Sequence, residues 1–123
     1  MGIADKFNKG SKFDFKADLQ EGKSPNFMTA KELTEENDTL VVRSFYFNKK
    51  SKFEHYVLVC TGEHYDEPVF LDAPQHMNDT FADMYADAEA VAQINAGKLG
   101  VCGYQYQSER RKEPCYSLSF KDL

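Results

Sequence analysis

Apolar residues gather in five short runs and one longer amphipathic stretch, and the spacing within each separates strand from helix. From Thr39 to Asn48, the residues Leu40, Val41, Val42, Phe45, Tyr46 and Phe47 leave few polar gaps. That pattern predicts a curved strand covered on both faces rather than an edge. Phe53 to Thr61 predicts a second strand centred on Val57, Leu58 and Val59, and Val69-Phe70-Leu71 a short third. The period then changes. Phe81, Met84, Tyr85, Ala88, Val91, Ala92 and Asn95 share one helical face, which predicts a single helix. Asn78 or Asp79 can cap its start, and Gly97 supplies the left-handed residue that closes it. Leu99 to Gln107 and Cys115 to Lys121 read as a hairpin joined by Ser108-Glu109-Arg110-Arg111-Lys112-Glu113-Pro114. Gly100 and Gly103 inside that hairpin mark a close backbone approach or a bulge.

Residues 1–26 are polar and are expected to form a partly ordered arm, with order around Phe13-Asp14-Phe15. Thr29 to Leu33 suggests one helical turn before the acidic loop Glu35-Glu36-Asn37-Asp38. The 123 residues suit one domain, here residues 27–123. Its order is strand, strand, strand, helix, strand, strand. A mainly β (α+β) fold follows: a five-stranded Greek-key OB-fold barrel with one helix between strands three and four. Other small α+β sheets share that order.

Charge sharpens the picture because of its distribution. The chain carries 15 Lys and Arg against 20 Asp and Glu, a formal net charge of −5. That balance argues against a protein that coats DNA over its whole surface and favours a localised binding face. Between Lys52 and Lys98 there is no lysine or arginine but nine acidic residues. The domain's cations concentrate in two islands, Lys49-Lys50-Ser51-Lys52 and Arg110-Arg111-Lys112, each at a predicted hairpin tip. In an OB barrel these are the two loops that flank the ligand.

Cys60, Cys102 and Cys115, odd in number and inside predicted strands, suggest buried thiols of a reducing compartment. No apolar run approaches the ~20 residues that cross a bilayer, and the lysine-rich amino terminus lacks a signal-peptide core. A cytoplasmic protein is expected. His55, His64 and His76 match no metal spacing, no cysteine sits in a nucleophile motif, and no glycine loop cradles phosphate. Neither an enzyme nor a cofactor is expected.

The stretches Phe45-Tyr46-Phe47-Asn48-Lys49-Lys50-Ser51-Lys52-Phe53, Leu71-Asp72-Ala73-Pro74-Gln75-His76-Met77 and Ile94-Asn95-Ala96-Gly97-Lys98-Leu99-Gly100 carry a resemblance, as does Tyr116 to Leu123. Over residues 27–123 the chain resembles the OB-fold single-stranded DNA-binding proteins of lactococcal and related Gram-positive bacteriophages. The resemblance implies non-specific binding of single-stranded DNA in phage replication or recombination, in the host cytoplasm. Phage recombination or replication proteins are its implied partners. Cellular relatives end in an acidic recruiting tail, whereas this chain stops at Phe120-Lys121-Asp122-Leu123, so recruitment by such a tail is not expected. Affinity in such proteins is usually gained by presenting several barrels to one strand, so a homo-oligomer, most simply a dimer, is expected. The alternative is a phage module that binds a host or replication protein without touching nucleic acid; acidic Asp79, Asp83, Asp87 and Glu89 on the helix would suit it.

Single-strand binding needs cations along phosphates and rings under bases. Lys49, Lys50, Lys52, Arg110, Arg111 and Lys112 are the phosphate candidates. Tyr46, Tyr56, Tyr104 and Tyr106 are the stacking candidates, because a tyrosine tolerates exposure, and Phe53 joins them beside the lysine tip. Arg43, alone in an apolar strand, must have a partner or a ligand. Alternation places Arg43, Phe45 and Phe47 on one face and Ser44, Tyr46 and Asn48 on the other, without saying which is inside.

Overall fold

A computed structural model describes residues 13–14, 26–49, 54–110 and 112–123. The chain enters the sheet through β1 (Asn26–Thr29) and turns directly into helix α1 (Ala30–Glu36). The turn is encoded in Thr29-Ala30-Lys31-Glu32, a capping box. Glu32 N donates to Thr29 Oγ1 at 3.2 Å, while Thr29 N donates back to Glu32 Oε1 at 3.4 Å. Asn37 closes α1 in the left-handed region at φ 52°. Strands β2 (Leu40–Asn48), β3 (His55–Thr61) and β4 (Val69–Asp72) follow as a meander. A 3₁₀ turn (Gln75–Met77) then leads through α2 (Asn78–Ala86) and α3 (Ala88–Asn95) to the hairpin β5 (Leu99–Tyr106) and β6 (Cys115–Asp122).

Among the described residues the fold is mainly β: a curled half-barrel of six strands in the order β1-β4-β3-β2-β5-β6, with three helices. The five-strand, one-helix expectation is corrected on both counts. The added strand is β1, which runs parallel to β4 from Asn26↔Val69 to Thr29↔Asp72. The added helices are α1, longer than one turn, and the split of the long helix at Asp87. There the backbone is extended (φ −94°, ψ 110°), and the Asp87 carboxylate accepts from Glu89 N at 2.9 Å and Ala90 N at 3.3 Å. Aspartate competes for backbone donors in this way, so an unbroken apolar period does not guarantee an unbroken helix. The predicted cap at Asn78 or Asp79 is also displaced. Asn78 is already helical, and its Nδ2 donates to Glu54 O at 3.0 Å.

Gly97 ends α3 at φ +70°, with Gly97 N donating to Ile94 O and Lys98 N to Gln93 O. This is the Schellman pairing that a glycine in the left-handed region permits. In β2 the register shifts between Val42 and Ser44. The bulge at Arg43 adds one residue, so Val42 and Phe45 both face the interior although alternation separates them. The inner core joins Leu33, Leu40, Val42, Phe45, Leu58 and Phe81. Phe13 is buried against it, its ring 4.9 Å from Phe45, and Asp14 N donates to Asn95 Oδ1 at 2.9 Å. A second cluster, Val57, Val59 and Phe70 with Tyr46, lies on the other face of the sheet. Of the three thiols only Cys60 is buried; Cys102 and Cys115 are half-buried, and all three are free. Among the described residues no helix is long and apolar enough to cross a membrane.

Candidate nucleic-acid interface

The candidate side chains fall into two groups, and the ladder between β2 and β5 explains why. Leu40 pairs with Val101 and Val41 with Gly100, antiparallel, and the pairing ends there. From that point β2 runs one way toward Asn48 and Lys49, while β5 runs the other way toward Tyr104 and Tyr106. Asn48 at the end of β2 and Tyr106 at the end of β5 therefore lie at opposite ends of the β2–β5 ladder. Beyond Cys102, β5 keeps β6 as its neighbour but has passed the start of β2.

In the β2–β3 group Arg43, Tyr46 and Tyr56 are tied into the fold. Arg43 Nε donates to Thr61 Oγ1 at 3.0 Å, and the guanidinium lies against the end of α3. A Cβ placed on Gly97 would stand 2.8 Å from Arg43 Nη1. Arg43 thus has its partner inside the protein. The Tyr46 ring packs on the Val57, Val59 and Phe70 cluster. Its hydroxyl is pushed up to about 12 by burial, with the Asp72 carboxylate adding to the effect. Tyr56 is half-buried, its ring 5.6 Å from Phe45, 5.0 Å from Phe47 and 5.5 Å from Phe81. Burial and then nearby Tyr85 raise its pKa. Lys49 is exposed at the end of β2. Lys50, Lys52 and Phe53 lie outside the described residues.

The β5–β6 group is different. Tyr104 is 44% and Tyr106 37% exposed, against 0% for Phe70 and Phe81. The two tyrosines are two residues apart on one strand and so share a face, with ring centroids 6.0 Å apart. Arg110 and Lys112 are exposed on the turn that follows, and Arg110 N donates to Ser108 Oγ at 3.3 Å. Arg111 lies outside the described residues. The close approach predicted around Gly103 is present: a Cβ there would stand 2.8 Å from both Ala30 O and Thr34 N of α1. Helix α1 can therefore seat on β5 only where the strand has no side chain.

Beside Tyr106 a groove of about 660 Å³ opens between the β1–α1 junction, the turn after β4 and the β5–β6 hairpin. Lys31, Asp72, Gln75, His76, Tyr106 and Glu113 are among its lining residues. His76 meets Tyr106 edge to face, 6.3 Å between centroids and 85° between planes. Its Nε2 shares a 3.0 Å hydrogen bond with Ser117 Oγ, which orients the ring. In the sequence Gln75 and His76 stand out only within a stretch that carries the resemblance, and Lys31 only within a predicted helical turn; none is a candidate site residue. No periodicity marks these residues, since they meet only when the ends of β4, β5 and β6 converge. Among protein-family models, curated proteins and solved structures, none matches the chain.

Proposed function

We propose that this chain binds single-stranded DNA with little sequence preference, in the replication or recombination of a Gram-positive phage, through its β5–β6 end. The observation that carries the reading is the exposed pair Tyr104 and Tyr106, 6.0 Å apart and followed by the cationic turn of Arg110 and Lys112. Base stacking on such rings contributes about 1–3 kcal/mol per base and tolerates any sequence, while cations on the turn meet the phosphates. The strand order supports the OB-fold assignment. β2 pairs with both β3 and β5, so the first strand of the meander lies between the second and the fourth, as in an OB barrel. On this reading the chain is a member of the phage single-stranded DNA-binding family it resembles, with β1 and α1 added beside the barrel seam. Its copies associate, most simply as dimers, and sedimentation at several concentrations tests that part.

The test of the main reading is fluorescence anisotropy of a labelled oligothymidine, with matched duplex DNA as competitor, at low and moderate salt. Salt-sensitive binding that the duplex fails to displace is the expected result. Absence of binding at low salt would sink the reading and leave the protein-interaction module as its successor.

A further inference from the structure

The groove beside Tyr106 can be assigned a ligand by its charges. Its lining includes two acidic residues, Asp72 and Glu113, and one cation, Lys31, together with Gln75 and His76. A phosphate brought into such a lining meets repulsion, whereas a neutral ring bearing N–H donors meets acceptors. Asp72 Oδ1 contacts His55 Nε2 at 2.9 Å, but a carboxylate accepts several hydrogen bonds, so this contact does not exhaust it. The volume of about 660 Å³ lies within the ~300–1,000 Å³ of pockets that bury small ligands. The fixed His76–Tyr106 corner supplies an aromatic wall. The cationic turn with Arg110 and Lys112 stands outside, where a sugar-phosphate backbone would pass.

We infer that the groove is a nucleobase site, continuous with the Tyr104–Tyr106 platform, that selects bases carrying an exocyclic amine over thymine. The inference rests on the single-strand reading and deepens it. Stacking on the two tyrosines holds any base, and the next base turns into the groove. There Asp72 and Glu113 accept from the amine of cytosine, adenine or guanine. The result is a mild preference superimposed on general binding.

The experiment compares oligo(dC) with oligo(dT) of equal length on the full chain near neutral pH, by anisotropy and by amide chemical shifts. Oligo(dC) is expected to bind about fivefold or more tightly, the lower end of what one base-edge contact discriminates. It should move the amides of Lys31, Gln75 and His76 more than oligo(dT) does. Glu113→Ala, an exposed change on the turn, is expected to bring the two oligomers toward parity. Equal affinities in the parent protein, silent groove amides, or a preference that survives Glu113→Ala would each overturn the nucleobase site while the single-strand reading stands. Failure to bind either oligomer would overturn both.

Discussion

Two aromatic groups of similar composition sit at the two ends of this sheet and have opposite fates. Around β2 and β3, Arg43, Tyr46 and Tyr56 point toward neighbours that absorb them: Thr61 and the α3 terminus, a valine–phenylalanine cluster, and a nest of rings. Along β5, Tyr104 and Tyr106 extend past the point where β2 begins, and both stay partly exposed, at 44% and 37%. The residue types are the same. What differs is how many strands and helices flank each position, and that decides whether a tyrosine is packed into the fold or left exposed.

The comparison breaks most visibly if stability and binding fail to separate. Tyr56→Ala removes a ring packed on Phe45, Phe47 and Phe81, and large-to-small changes of this kind cost about 3–5 kcal/mol when fully buried. Because Tyr56 is half-buried, a loss near the lower end of that range is expected by chemical denaturation, with the DNA affinity of the folded fraction preserved. Tyr104→Ala combined with Tyr106→Ala should do the reverse. Two lost stacks at about 1–3 kcal/mol each predict a binding loss of roughly thirtyfold or more by anisotropy, with an unchanged denaturation midpoint. A double variant that unfolds the protein, or that binds as tightly as before, would put the two ends on the same footing.

A smaller effect tests what positions the open end. Gly103→Ala drives a methyl against Ala30 O and Thr34 N, backbone atoms that cannot swing aside. Overpacking of this sort costs about 1–3 kcal/mol. Denaturation should register it, and binding should weaken as well, because α1 leads out of β1 at the groove beside Tyr106. This glycine was legible in the sequence, since a glycine within a strand signals close approach or a bulge. So were the extents of β2 to β6 and the closure at Gly97. Other features were not. β1 is four residues, Asn-Phe-Met-Thr, whose strand character comes from parallel pairing with β4, some forty residues away. The bulge at Arg43 defeats alternation, and the cap at Asp87 hides inside an unbroken apolar period. The contrast between Tyr56 and Tyr104 was illegible for a related reason: both are tyrosines in alternating strands, and only the register with β2 separates them.

Smaller still is the electrostatic contrast between the tips. Each phosphate neutralised on a single strand contributes about 0.7 to the slope of log affinity against log salt. Arg110→Ala with Lys112→Ala should flatten that slope by about 1.4 for oligomers of any length. Lys49→Ala, made together with Lys50→Ala and Lys52→Ala next to it in sequence, acts beyond Asn48 at the far end of the β2–β5 ladder. From Leu40 to Asn48 and from Val101 to Tyr106 the strands take 8 and 5 residue steps. At ~3.3 Å each, that is a contour on the order of 40 Å. A hexanucleotide held at the tyrosines should therefore ignore the lysine changes, whereas a long oligonucleotide should show a flatter slope. An equal effect on both lengths would mean that one short strand spans the two tips, and the separation read from the register would fail.

The least of these effects lies in the alkaline range and belongs to the β2–β3 end. Burial, aided by Asp72, pushes the Tyr46 hydroxyl up to about 12 from its ordinary value of 10.0. Below pH 10 the phenol is neutral in both folded and unfolded chains, and its packing contributes in full. Between pH 10 and about 12 the unfolded chain releases the proton while the folded chain retains it, so stability falls as pH rises through this window. Tyr56 and Tyr65, also raised by burial, add to the same decline. Tyr46→Phe keeps the ring on Val57, Val59 and Phe70 but removes the ionisation, so denaturation midpoints at about pH 8 and pH 11 should differ less than in the parent protein. If the two proteins lose stability in parallel, the Tyr46 hydroxyl is in contact with water, and the β2–β3 face is as open to a ligand as the far end of β5.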